Sequence, residues 1–358
     1  MKSKNWLLLA AGLIATVGAL PGYAQETKHG QLVTEHLLSE KLRDTRTGLD
    51  PNRTIKIYLP PGYAQSGKSY PVIYYFHSLG SSNVRLFADG KVQKLFDRAI
   101  TEKVVQAFIL VAADYSTPTT GCFFENSTTT GHWLDFTMKE LVPFIDRHFR
   151  TLPNRDSRGL AGDYMGGYGA LKFALLYPEI FSVVYALNPV ATGTGLVPMN
   201  SLANWKKMHD AKSAGDLEGD IYSQVFLAMA QAYLPNPDRP PFYCDFMVEL
   251  ENGELKPSIE NTQKIQAAFL LDHLLPEKAG NLRTMRGIKF DWARYDPTQD
   301  HVYANQVFTR RLEELGIEHE AEEYRGNPWN KNWTDDGRVY CELLPFFNRH
   351  LVFQKTAD

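Results

Sequence analysis

Apolar and polar residues alternate with period two through Thr54-Ile55-Lys56-Ile57-Tyr58-Leu59, which predicts a strand with one buried face. Pro60-Pro61-Gly62-Tyr63 then turns the chain. The runs Pro71 to Phe76 and Ala107 to Ala113 are continuously apolar and of strand length, a pattern suited to a parallel sheet covered on both faces. Between Trp133 and Phe149, Leu134, Met138, Leu141 and Ile145 recur at helical spacing and predict one amphipathic helix, stopped by Thr151-Leu152-Pro153. Further strands are expected at 182–187, 287–291 and 319–324. A last helix carries Ala304, Phe308, Leu312 and Leu315, with Gly316 as its C-terminal cap. Strands alternating with helices predict an α/β protein with a mostly parallel central sheet and helices on both faces. Residues 191–286 break the alternation, with helical stretches between Pro235, Pro237, Pro240 and Pro241. They read either as a cap over the sheet's C-terminal edge or as an ordinary surface insertion.

One stretch joins this pattern to chemistry. Ser157 to Ala161 reads as the end of a strand and Tyr168 to Tyr177 as a helix, so Gly162-Asp163-Tyr164-Met165-Gly166-Gly167 lies at a strand-to-helix turn. Glycines two before and two after a central residue let the chain turn sharply and lift that residue's side chain above the sheet, as in a nucleophile elbow. A site that forms an acyl- or alkyl-enzyme places Ser, Cys or Asp there. Here the residue is Tyr164, so the sequence predicts hydrolase geometry with altered chemistry. Asp163 adds a carboxylate that either assists Tyr164 or caps the following helix.

Residues 1–24 carry Lys2 and Lys4, an apolar run from Trp6 to Leu20 and then Gly22-Tyr23-Ala24. The run of about 15 residues is short of the roughly 20 that span a membrane, so it reads as a secretory signal peptide cut after Ala24. The expectation is a secreted or periplasmic protein without a stable membrane anchor, residues 25–358 forming a single domain. Without Lys2 and Lys4 the formal charge of −3 becomes about −5, which speaks against nucleic acid or any other polyanion as a partner. Cys122, Cys244 and Cys341 are too few for a metal cluster or a disulfide framework, and leave room for at most one bridge. No dinucleotide fingerprint or phosphate loop is present, and no cofactor or metal is expected.

Several ordered segments carry a resemblance: Ile57-Tyr58-Leu59-Pro60-Pro61-Gly62-Tyr63, Tyr70 to His77, Phe123-Phe124-Glu125-Asn126-Ser127, Gly131-His132-Trp133, Glu140 to Asp146, Met165 to Leu171, Pro235-Asn236-Pro237, Phe290-Asp291 and Tyr324-Arg325-Gly326. Together they resemble the secreted and periplasmic branch of the esterase D-like α/β-hydrolases. Relatives in that family include feruloyl and acetylxylan esterases, enterochelin esterases, formylglutathione hydrolases and the antigen 85 mycolyltransferases. The resemblance implies an α/β-hydrolase fold and a small-molecule ester, phenolic or carbohydrate ligand. It places the family's nucleophilic serine on Tyr164 and its acid on Asp296, with Asp300 as second choice. Its histidine falls on Asn327 or Pro328, neither of which is a general base. The oxyanion donors, backbone N–H groups, fall on Leu79 and Met165, and Ser78 stands where the family usually has glycine.

Three readings follow. In one, the pocket is kept for binding and Tyr164 fills the space above the oxyanion site. In another, N–H donors there lower the phenol's pKa and Tyr164 becomes an acid or base in lyase, retro-aldol or cyclisation chemistry. In the third, ester hydrolysis persists on another nucleophile or on Tyr164 itself. His77 beside Ser78 is the obvious dyad, but neighbours on a strand point to opposite faces. His301 reads as a residue at a helix start, and His132 as lining the cleft. Tyr115, Phe123, Phe124, Trp133, Trp329 and Trp333 either stack a sugar or phenolic ring or belong to the core.

Overall fold

The computed structural model describes residues 29–193, 200–329 and 332–354; the expected signal peptide lies outside them. Eight strands form one sheet: β1 (Gln31–Leu38), β2 (Asn52–Leu59), β3 (Val72–Phe76), β4 (Ile109–Ala113), β5 (Arg158–Asp163), β6 (Val183–Leu187), β7 (Gly287–Ala293) and β8 (Glu320–Tyr324). Their order is β1-β2-β4-β3-β5-β6-β7-β8. β2 pairs antiparallel with β1 and β4, and every other pairing is parallel. The continuous apolar runs are divided by the pleat. Val72, Tyr74 and Phe76 of β3, with Val184 and Ala186 of β6, enter one core, while Ile73, Tyr75, Val183, Tyr185 and Leu187 enter the other.

Helices α1 (Lys91–Thr101), α2 (Val142–His148), α3 (Met165–Leu176), α4 (Ile221–Tyr233), α5 (Ile259–Phe269), α6 (Leu271–Leu282), α7 (Gln299–Glu314) and α8 (Leu344–His350) surround the sheet. α1 and α8 cover one face, through Leu95, Phe96, Phe346 and Phe347, and α3 and α7 the other, through Leu171, Phe173, Phe308 and Leu312. This is the expected α/β-hydrolase architecture. The single helix expected over 133–149 is instead Trp133–Asp135, a π-helical Phe136–Leu141 and then α2. The wider turn places Phe136 and Leu141, and Thr137 and Val142, in buried positions that α-helical spacing does not pair. Thr137 is held there, donating to the Trp133 carbonyl at 3.0 Å and hydrogen-bonded to the Tyr115 hydroxyl at 3.0 Å. None of the three cysteines is bridged: Cys122 and Cys244 are buried thiols and Cys341 is exposed. Among the described residues no helix is long and apolar enough to cross a membrane.

The described part of the 191–286 excursion supplies α4, α5, α6 and the hairpin Val248–Glu251 with Glu254–Pro257. It is tied to the loops that precede α2. Ser127 donates to the Gln231 carbonyl at 2.6 Å, Thr119 donates to Gln231 Oε1 at 2.7 Å, and Phe269 stacks edge-on against Phe123 with centroids 5.5 Å apart.

The turn from β5 into α3 depends on an absence of side chains. A Cβ on Gly166 would stand 2.0 Å from the Phe76 carbonyl oxygen, and one on Gly162 would stand 2.2 Å from the Gly166 carbonyl oxygen. Both obstacles are backbone, so neither can yield. Gly280 in α6 meets nothing within 4 Å. Gly166→Ala is therefore expected to lower the unfolding free energy by about 3 kcal/mol or to abolish folding, an upper-end overpacking cost. Gly280→Ala should raise it by about 0.5–1 kcal/mol, because alanine is the better helix former. Chemical denaturation of the two variants measures both.

Candidate active site

The C-terminal ends of five neighbouring strands converge on the turn. β3 leads to Leu79, β5 to Tyr164, β6 to Asn188, β7 to Asp296 and β8 to Trp329. In open α/β sheets this edge is where ligands bind. Tyr164 has φ 55° and ψ −115°, a conformation that costs a bulky residue about 1–3 kcal/mol. It is held by its N–H donating to the Leu187 carbonyl at 2.9 Å and by its carbonyl accepting from the Tyr168 N–H at 3.0 Å. Met165 is the first residue of α3, a position whose N–H has no intrahelical partner. The loop bearing Leu79 abuts the turn at the Phe76 and His77 backbone, opposite Gly166. Its left-handed residue is Gly80, at φ 64°, which explains how the loop tolerates Ser78. Gly80 donates to the Thr120 carbonyl at 3.1 Å.

The Tyr164 hydroxyl is turned toward β7 and α7. It donates to Asp296, with Oδ1 at 3.1 Å and Oδ2 at 3.2 Å, and lies 3.0 Å from Nδ1 of His301. The same Nδ1 is 3.1 Å from Asp296 Oδ2. A ring nitrogen this close to a carboxylate oxygen must direct a proton at it, so Nδ1 carries a hydrogen and Nε2 is the only ring nitrogen left to hold a basic lone pair. Asp296 is fixed further by the Thr298 N–H at 2.8 Å and the Asn188 side-chain amide at 3.1 Å. Asn188 is buried at φ 47°, a left-handed conformation asparagine tolerates, and its side-chain Oδ1 accepts from the Ala293 N–H at 2.7 Å. Burial acts to raise the Asp296 carboxyl, but the hydrogen bond and charge of His301, with the Thr298 N–H, hold it below the ordinary carboxylate value. Burial, and then the Asp296 carboxylate, push the Tyr164 phenol well above its ordinary value.

Of the residues singled out in the sequence, Tyr164 and Asp296 are in direct contact, and Asp300 stands in the first turn of α7. The expectation that N–H donors lower the phenol is overturned, because the hydroxyl faces a carboxylate. Asn327 and Pro328, onto which the resemblance carries a histidine, are not bases, and a histidine reaches Tyr164 from α7 instead. His301, read only as a residue at a helix start, is third in that helix. Its signal was the acid five residues earlier with Thr298, the N-cap position, between them. Asp163 does not cap α3, whose N-cap is Tyr164. Burial pushes the Asp163 carboxyl up, opposed by hydrogen bonding from Tyr75. His77 lies 2.9 Å from the Ser78 carbonyl through Nδ1, and its Nε2 accepts the Tyr115 N–H at 2.8 Å with Asp114 Oδ1 3.5 Å away, so both ring nitrogens are engaged and no dyad forms with the Ser78 hydroxyl. His132 is exposed in a two-residue ladder with Asn126. Tyr115, Phe123, Phe124 and Trp133 are core residues. Trp329 is 59% exposed, with its ring centroid 4.3 Å from that of Tyr164. Asn327 is exposed beside buried Pro328. A cavity of about 430 Å³ next to the turn is lined by Asp163, Trp329 and Trp333, and by neither Leu79 nor Met165.

Comparison with known proteins supports this architecture. Residues 47–232 match the family profile described as "Putative esterase". Over 135 residues, or 35% of the chain, the sequence is 33% identical to "Esterase Rv1288" of Mycobacterium tuberculosis. It is 30% identical over 168 residues, 44% of the chain, to "Endo-1,4-beta-xylanase/feruloyl esterase" of Xylanibacter ruminicola. These matches span only 26% and 22% of those relatives' own lengths. Among solved structures, a ferulic acid esterase superposes with a TM-score of 0.62 at 18% identity, covering 90% of this chain and 99% of that one. An S-formylglutathione hydrolase from Agrobacterium tumefaciens gives 0.57 at 16% identity, covering 92% and 98%.

The two shifted groups act at opposite ends of the pH scale. A depressed Asp296 stabilises the fold above the carboxyl's unfolded pKa of about 3.9, and this contribution is lost as pH falls through the folded value. The stability gap between wild type and Asp296→Asn should therefore shrink as the pH is taken below about 4. A raised Tyr164 stabilises below about pH 10 and loses that contribution as pH rises. An ultraviolet difference titration of wild type against Tyr164→Phe should reveal no additional phenolate up to about pH 11.

Proposed function

The chain belongs to the putative esterase family, and we propose that it binds a small ester, phenolic or carbohydrate ligand at the elbow without passing it through a covalent acyl-enzyme. One observation carries this reading: Asp296 and Tyr164 meet His301 at the same ring nitrogen. A triad needs its acid and its nucleophile on opposite nitrogens, so that one nitrogen is oriented by the acid while the other takes the nucleophile's proton. With both partners on Nδ1, the ring has no lone pair aimed at the phenol. The phenol also carries its oxygen a ring's length beyond where a serine hydroxyl would stand. An acyl group on it would be displaced from the Leu79 and Met165 N–H groups, and oxyanion stabilisation depends on that distance. Trp329 supplies a partly exposed aromatic surface against the Tyr164 ring. The relatives named as feruloyl esterases support a phenolic or sugar-ester ligand class. In this reading residues 191–286 act as a cap bounding the ligand space, Asn327 contributes a polar contact at its rim, and residues 1–24 direct the protein to a secreted or periplasmic location.

A second reading is favoured by the proton that Tyr164 retains. A neutral phenol held by Asp296 and His301 is placed to act as a general acid in lyase, retro-aldol or cyclisation chemistry.

A panel of nitrophenyl acyl esters and of feruloyl and acetyl sugar esters separates these possibilities. Wild type is expected to bind members of the panel by calorimetry while cleaving them no faster than Tyr164→Phe. Cleavage by wild type that drops about a thousandfold or more in Tyr164→Phe would make the phenol a nucleophile and overturn the reading.

A further inference from the structure

The cavity beside the elbow is a groove between the loop after β3 and the chain after β8, and its about 430 Å³ falls within the range of small-ligand sites. Tyr75, His77, Arg85, Asp163, Trp329 and Trp333 contribute to its walls. Two of these are indoles: Trp329, mostly exposed, and Trp333, half-buried with its ring edge-on to buried Tyr75 and centroids 5.5 Å apart.

The polar groups do not cancel. Lys91 and Asp89 at the rim neutralise each other at 2.9 Å. His77 has Nδ1 on the Ser78 carbonyl, while its Nε2 accepts the Tyr115 N–H and lies 3.5 Å from Asp114 Oδ1. The Asp163 carboxyl, pushed up by burial, is engaged by a hydrogen bond from the Tyr75 side chain. The Arg85 guanidinium makes no ion pair or hydrogen bond among the described residues and is exposed at the groove. A planar cation with five donors, in a groove that two indoles also line, matches a planar anion attached to a ring.

We propose that this groove is a subsite for a ring-bearing carboxylate, the ring lying against Trp329 and Trp333 and the carboxylate on Arg85. The assignment rests on the reading of the elbow as a small-molecule site, since Trp329 faces both. It goes further by fixing a negative charge on the ligand, and it specifies where that charge binds. The ring is that of an aromatic acid or of a sugar acid, which share this chemistry.

Titrations of the full mature protein with 4-hydroxybenzoate and with glucuronate, each paired with its neutral primary amide, test it by tryptophan fluorescence and calorimetry. At least one acid should bind about tenfold or more tightly than its amide, and Arg85→Gln should erase that preference. Trp329→Ala should weaken both members of the binding pair. Which acid binds identifies the ring. Equal binding of acid and amide, an acid preference that survives Arg85→Gln, or no binding of either acid at about 10 mM overturns the proposal. Arg85 is exposed, so its substitution is not expected to disturb folding. Calorimetric binding of the neutral panel esters to the same Arg85→Gln sample reads the elbow alone, which keeps a failure of this assignment distinct from a failure of the elbow reading.

Discussion

Where β5 gives way to α3, backbone meets backbone. The Phe76 carbonyl lies so near Gly166, and the Gly166 carbonyl so near Gly162, that no side chain fits at either position. This close packing forces the sharp turn, and the turn forces Tyr164 into its left-handed conformation. The conformation in turn sets the direction of the side chain. A residue held this way projects above the C-terminal edge of the sheet, whatever its chemistry, and the groups from the neighbouring strand ends must accommodate it. The mechanical design of the elbow thus depends on its glycines and not on the identity of its central residue.

A longer residue at that place has consequences for its neighbours. A serine hydroxyl would remain near the Met165 and Leu79 N–H groups, but the phenol reaches past them to the ends of β7 and α7. There it meets Asp296 and His301, 3.1 and 3.0 Å away. The cluster satisfies three polar side chains in a partly buried setting, and Asn188 and Thr298 complete it. The arrangement is well suited to keeping a proton on Tyr164. It is poorly suited to removing one, since the histidine's proton-bearing nitrogen is the one that faces the phenol. The contacts that hold the phenol in place are therefore the same ones that keep its proton on it.

Most of the fold was legible because its signals are local or ordered. Continuous apolar runs announced β3 and β4, alternation announced β2, and Gly162 with Gly166 announced the elbow. β1, with its mixed Gln31 to Leu38 pattern, and the C-terminal α8 escaped because each is defined by its docking on the sheet more than by its own periodicity. The π-helical turn at 136–141 was invisible for a related reason: burial of Phe136 and Thr137 decided it, overriding the α-helical spacing of Leu134, Met138, Leu141 and Ile145. At the site, Tyr164 stood out by its place in the elbow and Asp296 by the resemblance alone, and the two lie in contact. His301 was not, because a residue at a helix start is ordinary in sequence and becomes notable only when the phenol's extra length brings the two together.

The most direct test of the account is intact-mass analysis of the mature protein after exposure to a fluorophosphonate, a reagent that captures activated hydroxyl nucleophiles. Because the phenol keeps its proton and has no base directed at it, the predicted result is an unmodified mass under conditions that fully label a serine esterase. A stoichiometric adduct mapped to Tyr164 would contradict the account, for it would show that the elbow still activates its central residue for attack.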